Sequence, residues 1–151
     1  MSAGVVGRAG AALARVSASA LWAALVACLC GPVWAADCGA DLPAVHRLIA
    51  KGTGETAGWA VAFVPEPAPW AVGRHFNLRG VMCGSARLLR VDADMPAHRH
   101  GMNYRPTLEA QADGRFLAQG LMLHMPGRWR IRFEIEADGR RQWLEQAVEL
   151  K

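Results

Sequence analysis

The sequence predicts an all-β protein, an antiparallel sandwich of about seven strands, on three observations. Apolar residues recur with period two in seven short segments, 59–64, 75–82, 88–95, 106–112, 116–124, 129–136 and 142–150. Turn residues separate the segments, with Asp113-Gly114 and Asp138-Gly139 as tight hairpin signals. Helical periodicity is almost absent from the same stretch. Short strands so spaced are the pattern of an immunoglobulin-like sandwich.

The N-terminal segment reads as an export signal. Arg8 and Arg15 stand without an acidic residue, an apolar run follows from Ala20 to Leu29, and small residues surround Val33-Trp34-Ala35-Ala36. The run is about 10 residues, against the ~20 that a membrane-spanning helix needs, and Gly31-Pro32 interrupts it. Cleavage after Ala35 makes residues 1–35 a signal helix and releases a periplasmic or otherwise extracytoplasmic chain. A second reading stays open: Leu25-Val26-Ala27-Cys28 resembles a lipobox, and lipidation at Cys28 tethers the product to a membrane as a lipoprotein.

Residues 36–58 form an N-terminal segment with one short expected helix over 44–51, capped by Asp41, with Pro43 in its first turn and Gly52 as its stop. Residues 59–151 form the sandwich. Its clearest strand interleaves Trp129, Ile131, Phe133 and Ile135 with Arg130, Arg132 and Glu134, giving one buried and one wet face. Pro65, Pro67 and Pro69 stiffen the connection between the first two strands. About 115 residues remain after cleavage, the size of one domain.

The charge balance excludes some functions. The whole chain is +4, and without Arg8 and Arg15 it keeps 15 basic against 13 acidic side chains with no basic run, so nothing points to nucleic acid. Ser85, the only serine after the signal region, sits in a turn. No nucleophile and base pairing, cofactor motif or phosphate loop is visible, so an enzyme is not expected.

Signal cleavage removes Cys28 and Cys30 and leaves Cys38 and Cys83. In an oxidising compartment two cysteines favour a disulfide; metal thiolates or a redox pair are the alternatives, without a CxxC to support them. Alternating strand direction sends Cys83 to one end of the sandwich. It gathers the loop before His75, the loop bearing His98, His100 and Met102, and the Met122-Leu123-His124-Met125 corner at the other.

That second pole carries the chemistry. His98, His100 and Met102 share a face if their stretch is extended. His124 and Met125 are added by the corner, with Met122 as a further candidate on the His124 face. Imidazole with thioether is a soft, copper-directed ligand set, whereas zinc more often takes thiolate or carboxylate, and calcium and magnesium take oxygen. The plainer readings are that Met82, Met95 and Met122 fill the core and that His46 and His75 are solvated. Arg128, Arg130 and Arg132, with Asp92 and Asp94, read as wet strand faces. Trp59, Trp70, Trp129 and Trp143 read as core, with Trp70 placed to cover the histidine pole.

Met95-Pro96-Ala97-His98-Arg99-His100-Gly101-Met102 together with His124-Met125-Pro126-Gly127-Arg128-Trp129 resembles the paired signatures of the YtkA-like domain, a family similar to the periplasmic part of FixH proteins. The resemblance runs from about Trp59 to Leu150. It implies a small immunoglobulin-like sandwich, exported or membrane-tethered, in families linked to copper supply for haem-copper oxidases. The implied ligands are His98, His100, Met102, His124 and Met125. Unlike FixH, this chain shows no retained transmembrane anchor.

Two functions are therefore expected. The first is copper binding or delivery, with Cu(I) or Cu(II), to an envelope protein or oxidase assembly factor. The second is a metal-free immunoglobulin-like module of the cell envelope that binds another protein.

Overall fold

The computed structural model describes Met1 and residues 37–151. The expected signal segment, its cleavage site and the Cys28 alternative lie outside the described residues, Met1 aside. Among the described residues no helix is long and apolar enough to cross a membrane.

Among the described residues, nine strands form two antiparallel sheets. They are β1 (Leu48–Lys51), β2 (Ala60–Glu66), β3 (His75–Cys83), β4 (Arg87–Met95), β5 (His100–Gly101), β6 (Thr107–Ala110), β7 (Arg115–Met122), β8 (Gly127–Ala137) and β9 (Arg140–Leu150). One sheet runs β1-β2-β3-β7-β6 and the other β5-β4-β8-β9. All seven expected strands are present within a few residues of their expected limits, and β1 and β5 are additional.

The all-β sandwich follows from the alternation. In β8, Trp129, Ile131, Phe133 and Ile135 are buried while the residues between them are half-buried. From the facing sheet Phe63 packs 4.9 Å and Phe116 6.0 Å, centroid to centroid, from Phe133. Burying one such aromatic stabilises by roughly 1.5–3 kcal/mol. Asp138 (φ 51°) and Gly139 (φ 72°) close the two-residue β8–β9 hairpin, both in the left-handed region that such a turn requires.

The expected helix over 44–51 is absent. Its second half is β1, paired antiparallel with β2 from Leu48 opposite Phe63 to Lys51 opposite Ala60. A short isolated helix is marginal, whereas pairing here covers an otherwise open edge of β2. The sheet therefore begins at Leu48, ahead of the expected boundary at 59.

β2 is buried on both faces. Val61 and Phe63 enter the inter-sheet core, and Ala60, Ala62 and Val64 are covered by Cys38 and Leu42. Close approach requires Gly39 at the crossing, since a Cβ there would lie 2.4 Å from the Ala62 Cβ and its φ is +68°. Cys38 and Cys83 form a disulfide, with Cα atoms 5.8 Å apart and a sequence separation of 45 residues. The Arg115 guanidinium donates to Asp41 and ties this segment to β7 as the disulfide ties it to β3.

The outer face of the β4–β8–β9 sheet is a network of ion pairs. Asp94 accepts from Arg130 Nε at 2.8 Å and Nη2 at 2.6 Å, and from Arg132 Nη1 at 3.3 Å. Glu145 bridges the same two arginines, and the Arg132 guanidinium lies 4.2 Å from the Trp143 ring centroid. Arg130 and Arg132 are thus engaged within the sheet, and Asp92 pairs with Arg90.

Hydrogen bonding from Arg130, followed by the charges of Arg130 and Arg132, holds the Asp94 carboxyl below its ordinary value of 3.8 against the upward pull of burial. A carboxyl with a depressed native pKa stabilises fully above the unfolded value, and that contribution is lost as pH falls through the native one. Asp94→Asn is expected to destabilise by roughly 1 kcal/mol at pH 7. In urea denaturation the gap between native and variant should narrow below about pH 4.

Candidate metal centre

The strand ladders bring the expected segments to one pole. There Glu66 of β2 stands opposite Asn77, His75 of β3 opposite Met122, and Asp94 of β4 opposite Arg130. The disulfide is at the other end, where Ala60 stands opposite Cys83.

After Met95 the chain makes a single 3-10 turn, Pro96–His98, and Arg99 reverses it in the left-handed conformation at φ 56°. It returns as β5, with His100 opposite Met95 and Gly101 opposite Asp94. Residues opposite each other in a ladder point to the same side. Met95 is buried in the core, so His100 faces inward, and Met102, whose N–H donates to the Ala93 carbonyl at 3.0 Å, returns to that inward face.

His124 follows β7, and Met125-Pro126 turn the chain into β8. Gly127 is required there: its φ is +113°, and a Cβ would lie 2.7 Å from the Met95 methyl carbon. The His100 and His124 rings lie 5.1 Å apart, centroid to centroid, and His98 and His100 lie 5.9 Å apart. His98 is exposed, whereas His100 and His124 are half-buried.

Two ring nitrogens carry the chemical signal. His100 Nε2 and His124 Nδ1 are buried and have no hydrogen-bond partner. Leaving a buried polar atom unpaired costs about 1–3 kcal/mol, so two such nitrogens side by side call for a partner, which an ion or an ordered water would supply. His100 Nδ1 lies 3.2 Å from the Gly101 carbonyl oxygen. Donation of a proton there leaves Nε2 as the lone-pair nitrogen, the arrangement by which an outer hydrogen bond orients a metal-binding histidine. With metal–nitrogen bonds of about 2.0 Å, two imidazoles on one ion have centroids on the order of 5–6 Å apart. The spacing of the pair fits a single ion.

A nitrogen-rich site of three residues is not formed. Among the described residues no group of three or more His, Cys, Asp or Glu side chains is arranged to hold a metal ion. His98 is exposed and lies 5.9 Å from His100, and the remaining sequence-predicted ligands carry thioether sulfur. Met102 shares the inward face of His100, and Met125 adjoins His124. Met122 stands opposite His75 in the ladder, and His75 packs edge-on to Tyr104 at 4.9 Å.

Trp129, read from the sequence as core, also forms a wall of the site. It is fully buried and meets His100 at 5.6 Å and His124 at 5.4 Å, both edge-on. The sequence signal was its position as the first inward residue of β8 beside the Pro126-Gly127 turn. Trp70 packs on Phe63 and Phe76 and has no aromatic contact with the histidines among the described residues. Beside the turn carrying His98 opens a groove lined by Pro96, Ala97, Arg128, Arg130, Glu145 and Ala147.

Fold and site define the class of the molecule: a disulfide-tied antiparallel β-sandwich with a partly buried histidine pair at the pole away from the disulfide. Comparison of the chain with protein-family models, curated proteins and solved structures gave no match.

Proposed function

We propose that this chain is an exported copper-binding protein of the YtkA-like kind, which carries one copper ion at the His100–His124 pole and delivers it to a recipient in the cell envelope. The observation that carries the reading is the pair of buried, unpartnered nitrogens, His100 Nε2 and His124 Nδ1. Strand order lends support to the immunoglobulin-like part of it. The orders β2-β3-β7-β6 and β5-β4-β8-β9 correspond to strands ABED and C′CFG of such a sandwich.

Two imidazoles with thioether sulfur favour Cu(I), the softer ion, over Cu(II), for which His98 would have to join. Met125 adjoins His124 along the chain, and Met102 and Met122 each stand two residues from a histidine of the pair. A site at the edge of the domain suits exchange, and an oxidase assembly factor is one class of recipient. The protein acts as a carrier and performs no catalysis. Contact with a membrane arises only through lipidation at Cys28.

The groove beside Pro96 and Ala97 favours a second reading, a metal-free module that binds a protein partner at the same pole. Anaerobic titration of the exported chain with Cu(I) against a chromophoric chelator, and with Cu(II) by calorimetry, separates the two. One equivalent of Cu(I) held more tightly than Cu(II) is expected. Absence of stoichiometric binding to either ion overturns the copper reading.

A further inference from the structure

The geometry points to Trp129 as the residue that positions His124 for its ligand, an inference that rests on the copper reading above. A metal-binding imidazole is ordinarily held by a hydrogen bond on its other ring nitrogen. His100 has such a contact, from Nδ1 to the Gly101 carbonyl oxygen at 3.2 Å. His124 makes no side-chain hydrogen bond among the described residues, and its Nδ1 is buried without a partner. No protein group fixes His124 as the Gly101 carbonyl does His100, so packing is left to set its tilt, and its aromatic neighbours among the described residues are Trp129 at 5.4 Å and His100 at 5.1 Å.

Trp129 is suited to the task because it is itself immobile. Its side chain is fully buried on the inward face of β8. Its Nε1–H donates to the Met125 carbonyl at 2.9 Å, which ties the indole to the backbone next to His124. The two imidazoles meet the indole at interplanar angles of 68° and 76°, so one rigid plane sets the tilt of both. A flexible side chain of similar volume would fill the space and leave the His124 ring free to turn.

The test compares Trp129→Leu and Trp129→Phe with Phe133→Leu, a buried aromatic on the same strand without a histidine contact. Two quantities are read: Cu(I) affinity by chelator competition, and the nuclear Overhauser contact between the His100 and His124 rings in metal-free protein. Trp129→Leu is expected to lose the ring-to-ring contact and about tenfold or more in affinity. Trp129→Phe, which restores a flat ring, is expected to recover the contact and most of the affinity. Phe133→Leu should lower the melting temperature and change neither quantity.

A folded Trp129→Leu protein with the contact and native affinity intact overturns the inference, as does an equal affinity loss in Phe133→Leu. Should the leucine variant melt, Trp129→Met, which has no rigid face, carries the same test. Native protein that binds neither Cu(I) nor Cu(II) would refute the copper reading, while the ring-to-ring contact would still decide the role of Trp129.

Discussion

Replacing His100 and His124 together by alanine is expected to abolish stoichiometric Cu(I) binding and leave the sandwich folded. Outer hydrogen-bonding partners of metal ligands are alone worth roughly 10–100-fold in affinity, and the double variant removes two direct ligands. Its effect on stability should be small. Each substitution removes packing at a half-buried position, but it also removes a buried nitrogen that has no partner. Relief of that unpaired group, about 1–3 kcal/mol, offsets the lost contacts. His98→Ala is the contrasting variant. Its ring is exposed, and it should leave Cu(I) stoichiometry unchanged. Chelator competition on the three proteins, with far-ultraviolet circular dichroism to show that each is folded, checks the prediction.

Replacing Cys38 and Cys83 by alanine is expected to have the opposite profile, a large loss of stability with copper binding retained. The disulfide spans 45 residues in sequence, and constraint of an unfolded loop of that length contributes about 4 kcal/mol in the chain-entropy description. For a domain of this size that is a fall in melting temperature of roughly 15 °C. The bond also holds the segment whose Cys38 and Leu42 cover Ala60, Ala62 and Val64. Without it, that cover depends chiefly on the β1–β2 ladder, the Asp41–Arg115 ion pair and the Arg47 bond to the Gly39 carbonyl. The histidine pole is at the far end of the same strands, so Cu(I) affinity should be unaffected. Calorimetric melting of native and variant protein measures the first effect, and a melting temperature within a few degrees of native would contradict it.

The strands were legible wherever one face is buried and the other wet, as in Trp129 to Ile135, because period two then appears directly in the sequence. β2 was legible as a strand but not in its second covering layer, since a continuous apolar run does not say what lies on each side. β1 was misread because Asp41, Pro43 and Gly52 carry helix signals, while the open edge of β2 that wins the segment is a long-range feature. β5 was invisible, being two residues long inside a loop.

At the site, gathering His98, His100 and His124 at one pole needed only alternating strand directions. Rank within that set did not follow from spacing. His98 is exposed because the Pro96–His98 turn carries it outward, and Met122 pairs across its ladder with His75. The wall formed by Trp129 was hidden for a related reason: hydrophobicity marks a tryptophan as buried and does not name its neighbours.

X-ray absorption at the copper edge of the Cu(I)-loaded exported chain tests the central claim most directly. The account predicts one copper per chain bound by two imidazole nitrogens with sulfur in the same shell, and no protein-bound copper signal in the protein lacking His100 and His124. A copper shell without imidazole, or one unchanged in that double variant, would contradict it.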